Sequence, residues 1–579
     1  MAPDRPDKKL TGYPSIDKPW LKYYSEETIN DSLPEYTLFE YLWENNKNHL
    51  DHAAFNYFGN KISYGELFWL IERAANGFSS IGVREGDIVT VFSINTPETI
   101  VCLYALNQIG AIPNMEYVTL TKNQAIDDVR LCKSKTVIIL DALLSNFSCL
   151  ADLACVQHVV ILPVSESLPP VKRMLYRLKT KTEPCNKSIQ FDTLLKQGNQ
   201  YQKVSYKKDG PAVIVHSGGT TGIPKGVELS NDNLNYIAWV FKNNRNDAER
   251  GDSWLCAIPL FHAFGLAMGV IFPLSLGMQL ILAVHYTDRE LVRLFIKHKP
   301  NHIMGSGAHV PSIQMNKKIR KMDLSFFKTC GLGGTPLTEE KGKELVEFLS
   351  SRGSIAKASI GYGMSETSSA IATELNRYYG KAGSAGIILC KSNVKVKDTD
   401  SSKELPYGQI GELCFSGPGI MMGYYHNDTE TCHALFYDDK GVKWVHSGDL
   451  GYVDQDGFLF ITGRIKRIYS TRAERNGTLF KLFPDYVARV ISELPGVKDC
   501  AVVCIGDPEY KSIAIAFAVL QEGADPQKEK DAITSHVSSS LPVYCVPKRI
   551  GFIKNIPMTP IGKVDYPKLE AMAKEIMNN

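Results

Sequence analysis

The residues best suited to chemistry lie in Ser217-Gly218-Gly219-Thr220-Thr221-Gly222. Glycines let the backbone turn tightly and bring its N–H groups up to an anion, and the hydroxyls add further donors. Lys225 places a cation nearby, and the apolar run Ala212 to Val215 reads as a buried strand that delivers the chain into the loop. This is the chemistry of a phosphate cradle. It is not the P-loop of kinases and ATPases, which needs Gly-Lys followed by Ser or Thr, because the loop closes Pro224-Lys225-Gly226. Taken alone, six small residues also describe a Gly/Thr-rich turn that binds nothing.

Four further stretches change that balance: Pro259-Leu260-Phe261-His262, Gly361-Tyr362-Gly363-Met364-Ser365-Glu366, His446-Ser447-Gly448-Asp449-Leu450 through Gly463-Arg464, and Pro557 to Lys563. Together with the loop, and in this order, they resemble the adenylate-forming superfamily, nearest to its AMP-forming acyl-CoA synthetases. The resemblance spans most of the chain. It implies an α/β fold, with a large N-terminal AMP- and acyl-binding domain of layered sheets and helices over 1–465. A small mobile α+β domain over 466–579 is then expected to carry the catalytic lysine.

The implied reaction joins a carboxylate to the α-phosphate of ATP and then passes the acyl group to a thiol. Two anions must approach each other, so fixed positive charge, a metal and oriented donors are required. By resemblance, Ser217, Gly218, Gly219, Thr220, Thr221, Gly222 and Lys225 hold phosphates, and Gly333, Gly334 and Thr335 line the passage for adenine and acyl group. Gly361, Tyr362, Gly363, Met364 and Ser365 face the nucleotide, with Tyr362 against adenine. Asp449 accepts the ribose hydroxyls, and Arg464 assists at ribose or phosphate. Glu366 is the magnesium ligand, a hard oxygen donor suited to a metal on phosphates. Lys563 is the catalytic lysine bridging carboxylate and α-phosphate. His262 gates or positions the carboxylate, which is already ionised at neutral pH. Outside the resemblance, Glu366 reads as a cap partner, Gly448-Asp449 as a turn, Lys563 as a solvated lysine and His262 as a core histidine.

The implied cofactors are ATP and Mg2+, with coenzyme A as co-substrate. The Gly-Gly-Thr-Thr-Gly form of the loop is similar to bacterial fatty acyl-CoA ligases and favours a medium- or long-chain fatty acid. Arg467 aligns with the family's hinge, about which the C-terminal domain rotates between half-reactions. Tyr469 through Gly477 fits the usual thiol-tunnel motif poorly, so a carrier-protein phosphopantetheine stands as the alternative acceptor and an aryl or bile acid as the alternative substrate. A homologue that kept the fold and lost turnover is the non-enzymatic reading, and retention of Glu366 and Lys563 argues against it.

The elements that must position these groups follow from size and pattern. At 579 residues the chain exceeds one core, and its 44% apolar content is ordinary for a globular protein. A net charge of +3, from 65 basic and 62 acidic residues, demands neither nucleic acid nor an acidic partner. The thirteen cysteines are scattered without a Cys-x-x-Cys, and Cys500 and Cys504 read as core thiols on one strand face. No secretory pattern opens the sequence, so a cytoplasmic location is expected. Trp254 to Val284 is apolar but broken by Pro259, His262, Pro273 and Gly277, and reads as strand, loop and buried helix rather than a membrane span.

Along the chain, Leu38 to Trp43 reads as helical. A helical pattern then runs to Phe78, with a strand over Ile88 to Phe92 and a helix opened by Asn95-Thr96-Pro97-Glu98. Late strands are expected at 498–504 and 512–520, with a helix around 527–540. Residues 165–185 carry Lys172, Arg173, Arg177, Lys179 and Lys181 among Met174, Leu175 and Leu178. A solvated loop or surface helix is the plain reading; weak peripheral contact with anionic membrane is the sharper one.

Overall fold

The structure, a computed structural model, describes residues 10–179, 185–198, 200–217, 225–244, 248–284, 286–305, 310–333, 339–356, 358–374, 380–381, 383–473, 479–558 and 564–578. Ile88–Phe92, a short β-branched run, lies inside an eight-stranded sheet. Its order is Gly423–Tyr424, Lys225–Ser230, Pro211–Ser217, Ile112–Met115, Ile88–Phe92, Thr136–Leu140, His158–Leu162 and Ser188–Gln190. From Pro211–Ser217 to Ser188–Gln190 the pairing is parallel, whereas Lys225–Ser230 returns antiparallel beside Pro211–Ser217. Strands covered on both faces read as unbroken apolar runs, which is why Ala212 to Val215 was legible.

A nine-stranded sheet contains the parallel strands Ala53–Tyr57, Gln279–Leu282, Ser253–Cys256, His302–Gly305, Thr329–Leu332 and Ala358–Tyr362. Helices fill the space beside both sheets. Tyr64–Ser80 starts at a reciprocal cap between Ser63 and Glu66, and Pro97–Gln108 starts where Thr96 accepts from the Thr99 amide. All twelve residues of Pro97–Gln108 are buried. One core joins Phe55 and Leu280 of the nine-stranded sheet, Val89 and Val215 of the eight-stranded sheet, and Leu103, Ile237 and Leu266 of the helices. This alternation confirms the layered α/β class.

The apolar stretch after Trp254 resolves as expected into the strand Ser253–Cys256, a buried helical segment from Ala263 to Leu276 and the strand Gln279–Leu282. Gly277, at φ +83°, closes the helical segment in the left-handed conformation. Among the described residues no helix is long and apolar enough to cross a membrane.

Beyond the strand Leu459–Arg464, Tyr469–Arg472 pairs with Leu479–Leu482, and a three-stranded sheet joins Val497–Asp507, Lys511–Leu520 and Arg549–Phe552. The two long strands alternate their side chains between two cores. Val502, Cys504 and Ala514 pack with Val487 and Ile533 of the helices Pro484–Ile491 and Pro526–Ser540. Ala501, Val503 and Ile515 pack with Leu569 of Tyr566–Asn578. Cys500 falls on the same side as Cys504, as the spacing predicts.

Candidate active site

The loop's two ends are fixed by a hairpin. Ser217, the last residue of one strand, is the register partner of Lys225, the first residue of the next. Gly218, Gly219, Thr220, Thr221, Gly222 and Pro224 lie outside the described residues, as do Gly334, Thr335 and Lys563. Lys225 pairs with the Glu430 carboxylate and lies over the Tyr424 ring, 4.9 Å from its centre. The sequence reading gave this cation to phosphate alone; in the fold it has a carboxylate partner from the helix Asp428–Ala434.

Glu366 is buried in a tight turn, Ser365–Thr367, that packs against the strand leading into the loop. Its Oε1 accepts from the Tyr424 hydroxyl at 2.7 Å, and its backbone carbonyl accepts from the Met421 amide at 3.0 Å. Burial, and then the Glu366 charge, holds the Tyr424 phenol well above its ordinary pKa. The next residues, Ser368 at φ +57° and Ser369 at φ +118°, occupy a region that side chains avoid, at a cost of about 1–3 kcal/mol each. The Ser368 hydroxyl donates to the Gly419 carbonyl at 2.7 Å, so the strained turn is clamped by the same segment that supplies Tyr424. Gly363 is required nearby, since a Cβ there would collide with the Ser369 carbonyl. Among the described residues no basic side chain forms an ion pair with Glu366. A buried carboxylate with that donor set fits a hard divalent cation.

Tyr362 and Asp449 meet on the other side. The strand Ala358–Tyr362 ends at the phenol, whose hydroxyl donates to Asp449 Oδ2 at 2.6 Å. Arg464 stands opposite Asp449 in the register of the paired strands Lys443–Val453 and Leu459–Arg464, with its Nε 3.0 Å from Oδ1. Both oxygens of Asp449 are therefore oriented. Burial, followed by the Asp449 charge, raises the Tyr362 phenol well above its usual range, so it acts as a donor throughout neutral pH. Gly448, at φ +67°, makes the turn before Asp449, and its amide donates to Glu412 Oε1 at 3.3 Å. The other Glu412 oxygen contacts His446 Nδ1 at 2.9 Å. Glu412 thus braces the Asp449 turn, a role no local motif announced.

His262 lies at the entrance to the Ala263–Leu266 helix, with Nδ1 3.4 Å from the Tyr117 hydroxyl. The same hydroxyl donates to the His216 carbonyl at 2.9 Å, linking His262 to the strand that feeds the loop. Gly333 faces Phe264, and a Cβ at Gly333 would come within 2.9 Å of that ring. The fold brings His262, Ser217 and Glu366 into connected elements and sets Tyr362, Asp449 and Arg464 together.

A second buried group was not read from the sequence. His216 Nε2 lies 2.6 Å from Glu116 Oε1 and 2.8 Å from Asn114 Oδ1, and Asn114 Nδ2 donates to Asp128 Oδ2 at 2.8 Å. One ligand-type atom from each of Glu116, Asp128 and His216 falls within a 4.8 Å cluster. The 2.6 Å contact is shorter than the roughly 3.3 Å that separates ligands around tetrahedral zinc, so in this conformation the three groups form a close charge cluster rather than a cage. Burial alone would lower the His216 pKa; the Glu116 charge beside it reverses the sign and raises it. Burial, and then Glu116, pushes Asp128 up to about 7. The only advance signal was a histidine directly before Ser217.

The fold is a layered α/β one that sets Tyr362, Asp449 and Arg464 together and ties Glu366 to the hairpin at Ser217 and Lys225. The AMP-binding enzyme family model matches residues 42–425, and the AMP-binding enzyme C-terminal domain matches 487–563. The chain belongs to the AMP-binding enzyme family. Members of this family use ATP, Mg2+ and CoA. It is 27% identical over 569 residues to a long-chain-fatty-acid–CoA ligase of Bacillus subtilis (strain 168), covering 94% of this chain and 96% of that one. To a 4-coumarate–CoA ligase of Vanilla planifolia it is 26% identical, covering 87% of each. The anthranilate CoA ligase AuaEII, solved with anthranoyl-AMP, has the same fold, with a TM-score of 0.78 at 20% identity over 94% of this chain and 99% of that one.

Proposed function

We propose that this chain is an ATP-dependent acid–thiol ligase that adenylates a medium- or long-chain fatty acid and transfers the acyl group to CoA, releasing AMP and pyrophosphate. The observation that carries the reading is the placement of Glu366, in a strained turn packed on the strand that enters the loop and tied by Tyr424 to the strand that leaves it. The Bacillus relative and the Gly218-Gly219 form of the loop favour a fatty acid over an aryl one.

In this reading residues 217–222 hold the β- and γ-phosphates by backbone amides and hydroxyls, and Lys225 exchanges Glu430 for phosphate or remains a fixed field beside it. Tyr362 and Arg464 orient Asp449 so that its oxygens face the ribose hydroxyls. Magnesium, when bound at Glu366, neutralises phosphate charge and polarises the phosphoryl oxygens. Lys563 stabilises the charge that builds on the α-phosphate, and His262 positions the carboxylate beside Tyr117. Residues 1–465 form the nucleotide- and acyl-binding unit, and 466–579 the mobile unit that carries Lys563. All thirteen cysteines are free thiols, which suits a reducing, cytoplasmic setting.

The test is acid-dependent AMP release over a panel of fatty, aryl and bile acids, with CoA present or absent. Release that needs a fatty acid and accelerates with CoA is expected. AMP release with aryl acids alone, or no AMP with any acid, overturns the reading.

A further inference from the structure

The helix Pro170–Lys179 stands apart from the site. Its apolar residues at 171, 174, 175 and 178 follow the i, i+3, i+4, i+7 spacing of a single face. That face points into solvent: Val171 is 71% exposed, Met174 61%, Leu175 50% and Leu178 70%. The other side is anchored. Tyr176 packs on the main core and donates to Asp141 Oδ1 at 3.1 Å, and Arg173 pairs with Glu166 at 3.4 Å. The fold therefore fixes the greasy stripe outward, where water alone is a poor neighbour.

Cations gather beside the stripe. The Lys172 ammonium and the Arg293 guanidinium sit over the Phe58 ring, 4.7 Å and 5.6 Å from its centre, and Lys297 Nζ reaches the Phe58 carbonyl at 3.5 Å. Glu290 pairs with Arg293, which among the described residues leaves Lys172 and Lys297 as the surplus charge. Burial and then repulsion from Lys297 and Arg293 lower the Lys172 pKa, and His298 is lowered by burial and then Lys297, Arg293 and Lys172, which shows how closely these charges crowd. A second copy of the chain would bring the same cations face to face. An anionic lipid surface accepts both features at once, with acyl chains for the stripe and phosphates for its cationic flank.

We propose that the Val171–Leu178 face is a docking helix for an anionic bilayer, inserting Val171, Met174, Leu175 and Leu178 while Lys172 and Lys297 engage headgroup phosphates. Docking of this kind is read without turnover, so it stands or falls separately from the ligase assignment.

The experiment is co-sedimentation of the full chain with vesicles of phosphatidylcholine, with and without phosphatidylglycerol, at low and high salt. Binding to the phosphatidylglycerol vesicles is expected, weaker by about tenfold on neutral vesicles or in high salt. Leu175→Ser with Leu178→Ser, and separately Lys172→Glu with Lys297→Glu, should each weaken it about tenfold with the thermal transition unchanged. Absence of binding to anionic vesicles, equal binding to neutral ones, or indifference to both double substitutions overturns the proposal. So does a concentration-dependent dimer in sedimentation velocity that the serine variant abolishes, since a second copy would then own the stripe.

Discussion

The Tyr424 hydroxyl lies 2.7 Å from Glu366 Oε1, and Tyr424 is itself the register partner of Val227 on the strand that leaves the loop. One phenol thus ties the proposed metal carboxylate to the hairpin proposed to bind phosphate. A hydrogen bond to a charged group contributes about 1.5–3 kcal/mol, equivalent to a roughly ten- to hundredfold change in rate. Tyr424→Phe should lower kcat/KM for MgATP by at least about tenfold with little change in secondary structure. Steady-state kinetics with wild-type values for the variant would show that this tether does not serve the reaction.

The Glu116–His216–Asp128 group predicts a pH signature. His216 and Asp128 both have folded pKa values above their unfolded ones, Asp128 rising to about 7. Folding therefore takes up protons here, and this contribution is present at low pH and fades as pH rises through the folded values. Asp128→Asn, which mimics the protonated acid, should gain stability on the wild type as pH rises from 5 to 8, by about 2–3 kcal/mol over that range. Urea midpoints at the two pH values check it. A constant difference between the proteins would remove Asp128 from the titration.

Arg467, expected at the hinge, has a side chain only 12% exposed. It pairs with the Asp485 carboxylate, and its guanidinium lies over the Tyr566 ring, 3.4 Å from the centre. In this conformation it clamps helices Pro484–Ile491 and Tyr566–Asn578. Arg467→Ala should destabilise the C-terminal unit by about 3 kcal/mol, because Asp485 is left half-buried without its cation. Calorimetry should show the loss as an earlier transition, and an unshifted trace would reduce Arg467 to a surface residue.

Lys563→Ala separates the half-reactions. If Lys563 stabilises the α-phosphate during adenylation only, the variant should lose pyrophosphate exchange by about a thousandfold or more yet still form thioester from supplied acyl-adenylate. Equal loss of both steps is the contrary result.

Local pattern disclosed much of the architecture. Ile88–Phe92, the Thr96 cap and the strands around 498–504 and 512–520 stand where alternation and capping place them, because each is specified by neighbours in sequence. The Ser63–Glu66 box opens Tyr64–Ser80 for the same reason. Partners far apart in the chain were not legible. Nothing near Lys225 points to Glu430, nothing near His216 points to Glu116, and the support of Glu412 for the Asp449 turn exists only once two strands pair. The basic segment after Pro169 illustrates the limit: its helix could be drawn from spacing, but only the fold reveals that Tyr176 turns inward and Leu178 outward.

The hairpin that sets Ser217 against Lys225 is held by the buried pairs Val213 with Leu229 and Val215 with Val227, all upstream or downstream of the signature. Folding information and the proposed ligand-binding signature are consequently written in adjoining but separate segments. Grafting a different glycine–hydroxyl signature between those endpoints should change affinity for the triphosphate while sparing both base preference and the sheet, making this hairpin a natural cassette for engineering.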